Sequence, residues 1–146
     1  MSFQESVFIR RPLFEVVTYM GDITMEKEWQ THLVDAEQIP PGPTIVGTRR
    51  RYVSQFLGKE LVNTYIVKVH EPGVRLVCTT TPDSVLDATS DIRWEEVGGG
   101  TKVTMTFEGS PSGPLKFVPR RILDAAFENE VTSALARLKE RLEEDG

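Results

Sequence analysis

The chain has 146 residues, enough for one domain that buries roughly 68–70% of its unfolded surface. Hydrophobic residues at 39% and charged residues at 27% describe a soluble globular protein, and a net charge of −5 argues against a nucleic-acid partner, which requires concentrated Lys and Arg. A lone cysteine, Cys78, excludes an internal disulfide and any multi-thiolate metal site.

The opening stretch MSFQESVFIRRP lacks the apolar run of a signal peptide, and no later segment is long and apolar enough to insert into a membrane, so a cytoplasmic location is the default expectation. Residues 6–9 read as a short strand. Pro12 opens a helix through Met20, with Leu13, Val16, Val17 and Met20 at helical spacing. Gly21 ends it, and Asp22 is placed to cap a second short helix toward Trp29. Residues 32–39 read as a strand, and the proline-rich residues 40–47 as a loop.

From Thr48 to Gly109 the pattern is β, punctuated by turns at Gly58-Lys59, Pro72-Gly73, Pro82-Asp83 and the glycine run 98–100. Directly paired residues share a face, so the turns carry one face from strand to strand. A turn at Gly58-Lys59 pairs Phe56 with Leu61, Ser54 with Asn63, Tyr52 with Tyr65 and Arg50 with Val67. The next turn pairs Val69 with Leu76, Val67 with Cys78 and Tyr65 with Thr80, leaving His70 outward. The glycine turn pairs Trp94 with Val103, Ile92 with Met105 and Ser90 with Phe107. An odd-length loop after Pro82 keeps Leu86 and Ala88 inward. The inner face is then apolar but also holds Arg50, Ser54, Asn63, Tyr65, Thr80 and Ser90. The chain ends in an amphipathic helix over 120–142, with Leu123, Phe127, Val131, Leu135, Leu138 and Leu142 on one side, and Pro119 kinks it or delays its start.

Strand, two short helices, six strands and a long helix is the order of the helix-grip fold. Three stretches, RRPLFEVVTYMGDITMEKEW (10–29), VGTRRRYVSQFLGKELVNTYIVKVHEPGVRL (46–76) and WEEVGGGTKVTMTFEG (94–109), resemble the START-like (SRPBCC) superfamily and its polyketide cyclase/dehydrase-type branch. The resemblance covers nearly the whole chain and implies an α+β domain over residues 1–146, with a curved antiparallel sheet wrapped around the terminal helix and a cavity between them. It implies a hydrophobic small-molecule ligand (lipid, quinone or polyketide-like) and no cofactor. Cavity-lining residues would be Arg50, Tyr52, Asn63, Tyr65, Cys78, Ser90, Trp94, Met105, Phe127 and Val131.

Several of these have a second reading. Asn63 and Tyr65 either orient a ligand, or Asn63 meets Ser54 and Tyr65 reaches a backbone carbonyl. Arg50 either binds an acidic ligand, pairs with an acid of the terminal helix such as Glu130, or sits at the sheet's end in water; the two structural readings have more weight, since buried charges are rarely unpaired. Cys78 reads as a small buried hydrophobe, and Trp94 and Trp29 as core. His32, at a helix–strand junction, is an acid-base candidate by type alone. No metal is expected, because 37 residues separate His32 from His70 and the inner face has no acidic cluster. At least one of the loops 40–47 and 108–119, both rich in Pro and Gly, is expected to flank the cavity mouth and to move when a ligand enters. Three functions follow: a carrier or sensor of a hydrophobic molecule, a polyketide cyclase/dehydratase-type enzyme, or a protein-interaction module. A homodimer stays open.

Overall fold

A computed structural model of the protein describes residues 1–144. Strand β1 (Ser2–Ile9) is followed by α1 (Leu13–Gly21), a 3-10 turn (Ile23–Met25) and α2 (Glu26–Trp29). Strands β2 (Leu33–Ile39), β3 (Arg49–Phe56), β4 (Lys59–Glu71), β5 (Arg75–Thr80), β6 (Leu86–Val97) and β7 (Gly100–Pro111) come next, then a 3-10 turn (Gly113–Phe117) and α3 (Arg120–Glu144). They form one seven-stranded antiparallel sheet in the order β1-β7-β6-β5-β4-β3-β2. Strand β1 is longer than the apolar run 6–9 suggested, because β7 pairs with it along its length, from Ser2 opposite Glu108 to Ile9 opposite Thr101. Pro119 directly precedes α3 and sets its start rather than kinking it.

The expected faces survive except at the end of β4, beyond Val67, and two registers change. The β3–β4 turn is Leu57-Gly58, both with positive φ (50° and 78°), so Phe56 pairs with Lys59 and Tyr52 with Asn63. Both central residues of such a turn must be left-handed, and here a leucine accepts that strain beside the glycine. The pairing therefore slides by two residues, which with a side-chain period of two returns every side chain to its face. Arg50 now stands opposite Tyr65, not Val67, and Ser54 opposite Leu61, not Asn63. Between β4 and β5 a bulge after Val67 puts Val69 opposite Val77 and His70 opposite Leu76. The extra residue reverses the alternation, so His70 shares a side with buried Leu76, where an outward position was expected. The β6–β7 pairing is as read, with Trp94 opposite Val103, Ile92 opposite Met105 and Ser90 opposite Phe107.

Helix α3 crosses the concave face, and its apolar stripe packs at two separate places. Its C-terminal half (Ala134, Leu135, Leu138, Leu142) packs with Ile9, Val16, Met20, Trp29 and Val103. Its N-terminal part (Leu123, Phe127) packs with Phe56, Leu61, Leu86, Ala88 and Leu115. Phe127 stacks on Phe56 at 4.4 Å between ring centroids and on Phe107 at 6.1 Å. We expect Phe127→Ala to cost about 3–5 kcal/mol, while Val131→Ala, half-buried at the border between the C-terminal cluster and the gap, costs clearly less, about 1 kcal/mol. Urea unfolding with unchanged slopes measures both; equal costs would mean the stripe is packed without a break.

Candidate functional site

The gap between the two packed regions is a cavity of about 170 Å³ between α3, the short helices and the inner face of β3–β7. On the helical side the wall begins at Met20 and Gly21; next to them the Asp22 carboxylate accepts the Thr24 amide at 3.0 Å and starts the 3-10 turn that leads into α2. That geometry brings Glu26 and Gln30, one helical turn apart, under the sheet beside Trp29. Glu26 and Arg50 are nearly inaccessible, at 3% and 6% side-chain exposure, with Arg50 Nη1 3.6 Å from Glu26 Oε1. Tyr52 donates to the same oxygen at 3.3 Å and Gln30 Nε2 to the other. Arg50 Nη2 donates to Thr44 Oγ1 at 2.9 Å. Burial raises the Glu26 carboxyl to about 7 against the pull of Arg50, Gln30 and Tyr52. Burial also pushes the Tyr52 and Tyr65 phenols up, so both remain neutral donors.

A second polar group lies across the cavity. His32, just before β2, has Nε2 3.7 Å from Glu130 Oε2 on α3, and both line the wall. Burial lowers the imidazole and raises the Glu130 carboxyl to about 7, so near neutrality the contact joins two groups that are each inclined to be uncharged. The negative charge of Glu130 is felt at Tyr65, whose ring meets Tyr52 edge-on at 5.9 Å. Trp94 Nε1 points at the Met20 sulfur, 3.2 Å away. Cys78 is buried, and its thiol, pushed up to about 11 by burial, is protonated at neutral pH.

The structure places Arg50, Tyr52, Asn63, Tyr65, Cys78, Ser90, Trp94, Met105, Phe127 and Val131 on the wall of this one cavity. It changes several of their partners. Asn63 Oδ1 accepts the backbone amide of Leu86 at 3.0 Å and so ties β4 to the start of β6, instead of meeting Ser54. The Tyr65 hydroxyl makes no hydrogen bond among the described residues, so no carbonyl occupies it. Arg50 pairs with Glu26, not Glu130, because β3 faces α2 at that height while Glu130 lies over His32. Neither the 40–47 loop nor the 108–119 stretch supplies a lining residue; the first reaches the site only through Thr44, behind Arg50.

Sequence reasoning missed Glu26 and Gln30, and named Glu130 only as a partner for Arg50. Their signal was helical spacing: Glu26 is three residues before Trp29, and Glu130 three after Phe127, so each shares a face with a cavity aromatic. Among the described residues no three of His, Cys, Asp or Glu cluster as a metal site would require.

Residues 1–143 match the family described as polyketide cyclase / dehydrase and lipid transport. The chain belongs to that family. Members of the START superfamily share its fold: one from Mycobacterium smegmatis superposes with a TM-score of 0.81 at 11% identity, covering 99% of both chains. A Thermus thermophilus protein gives 0.82 at 19% identity over 97% of each chain. The di-domain ARO/CYC StfQ of the steffimycin biosynthetic pathway gives 0.75 at 15% identity, covering 99% of this chain and 51% of that one. No curated protein matches the sequence.

Two expectations come from the geometry. Asn63→Leu leaves the buried Leu86 amide without an acceptor and should destabilise the fold by about 1–3 kcal/mol, whereas Asn63→Asp, which keeps the oxygen, should cost less; thermal melting separates them. The second concerns Glu130, whose folded value near 7 lies above the ordinary 4.5. The folded state then binds its proton more tightly, so this residue's contribution is full below pH 4.5 and is lost as pH rises to about 7. The native protein should therefore lose stability relative to Glu130→Gln across that window; a difference independent of pH would mean Glu130 ionises as if in water.

Proposed function

We propose that the protein binds a hydrophobic small molecule (a lipid, a quinone or a polyketide-like aromatic) in the cavity beneath α3. One observation carries this reading: a largely apolar cavity wall presents the phenol of Tyr65, to which the described residues offer no hydrogen-bond partner. In a solid core such a hydroxyl is a cost; in a ligand cavity it orients the guest. About 170 Å³ suits a single ring or a short branched chain in this conformation, and a larger ligand would enter by displacing α3 where its packing is interrupted. Family membership supports the same class of ligand without naming one.

A second reading, a cyclase/dehydratase-type enzyme, draws on a separate observation. The Glu130 carboxyl, held near 7 beside a neutral His32, has the proton affinity that a general acid needs close to neutral pH. Its location on the cavity wall lets it protonate a carbonyl or a leaving hydroxyl of a bound chain.

A thermal-shift panel of lipids, quinones and polyketide-like aromatics tests the binding reading. At least one aromatic carbonyl compound should raise the melting temperature. Tyr65→Phe should weaken that compound's binding about five- to tenfold without lowering the stability of the free protein. Unchanged affinity would remove Tyr65 from ligand recognition, and a panel without stabilisers would sink the binding reading. Mass analysis of the recovered ligand separates the readings: unchanged ligand means carriage, dehydrated ligand means catalysis.

A further inference from the structure

We propose that the segment from Gly113 to Ile122 is a docking surface for anionic lipid bilayers. Phe117, at the end of its 3-10 turn, is 89% exposed, and Ile122 in the first turn of α3 is 44% exposed. A phenylalanine left this bare faces an unfavourable contact with water that nothing in the fold relieves. Around it stand Lys116, Arg120 and Arg121, all exposed, and none of them forms an ion pair with another described residue. The stretch holds no acid, in a chain with 22 acidic and 17 basic residues. The next acid, Asp124, faces the amino group of Met1 at 4.0 Å.

The chemistry of this corner separates a bilayer from other partners. At 89% exposure the Phe117 ring is covered by almost nothing of the protein, so it suits a soft surface that closes around it. Lipid headgroups and acyl chains supply charge and apolar depth together, as basic residues beside an aromatic require. Phe14, also largely exposed, has Glu15 beside it and lacks this match. The β3–β4 turn stands at the same end, since Phe56 packs in one cluster with Leu115 and Leu123, and its Leu57 is 52% exposed. Phe127 belongs to that cluster and also lines the cavity, so the bilayer-facing corner and the cavity share a wall. The docking surface stands on its own residues and does not depend on the ligand reading.

Cosedimentation with vesicles of phosphatidylcholine, with and without phosphatidylglycerol, tests the proposal using the intact protein. Binding is expected only with the anionic lipid and should weaken as salt rises. Replacing both Arg120 and Arg121 with Glu should reduce vesicle binding roughly thirtyfold or more, and Phe117→Ser should reduce it as well. Both variants should melt with the native protein, because the altered side chains are exposed. Equal binding to neutral vesicles, no binding to anionic ones, or binding indifferent to both variants would overturn the proposal. An acidic protein that binds the patch while vesicles do not would assign this corner to a protein partner instead.

Discussion

One helix lies across a sheet too wide for it to cover. Seven strands curve into a concave face, and α3 meets that face firmly at two places, through Leu123 and Phe127 near its start and Leu135, Leu138 and Leu142 near its end. Between these anchors the wall is made by Glu130, which is polar, and by Val131 and Ala134, which border the C-terminal cluster but are too small to fill the space in front of them. The cavity is thus a consequence of where large apolar residues fall along 25 residues of helix. A substitution that filled the middle would remove the cavity and stabilise the fold.

The Glu26–Arg50 pair has a different place in the energetics. A carboxyl and a guanidinium taken from water at this depth gain little net stability, and removing the carboxyl would strand the guanidinium. Their effect is geometric. Gln30 and Tyr52 on Glu26, and Thr44 on Arg50, fix α2, β3 and the proline-rich loop relative to one another. A short helix of four residues has little packing of its own, so these polar contacts hold this wall of the cavity in register with the sheet.

Period-two alternation made the faces of β3–β7 legible, because it needs only the parity of each turn, and parity survived the slide between β3 and β4. Register was not legible there. It depended on whether Gly58 took the first or second place in its turn, and nothing in the chain announces that Leu57 tolerates a left-handed backbone. The bulge after Val67 was equally hidden, since Lys68 resembles any outward residue. The cavity wall was readable from the sheet, which alternates strictly, and less so from the helices, where acids on an apolar stripe look like ordinary solvent-facing positions. Glu26 and Glu130 needed the neighbouring aromatics to reveal their direction.

The contact of Trp94 with the Met20 sulfur, and the burial of Trp29, have an optical corollary. The chain contains two tryptophans, and both indoles lie on the cavity wall. Tryptophan emission from this protein therefore has no bulk background from elsewhere in the molecule. Any guest that changes polarity in the cavity, or parts the indole from its sulfur, alters the whole of that signal, so the protein carries a label-free gauge of its own occupancy.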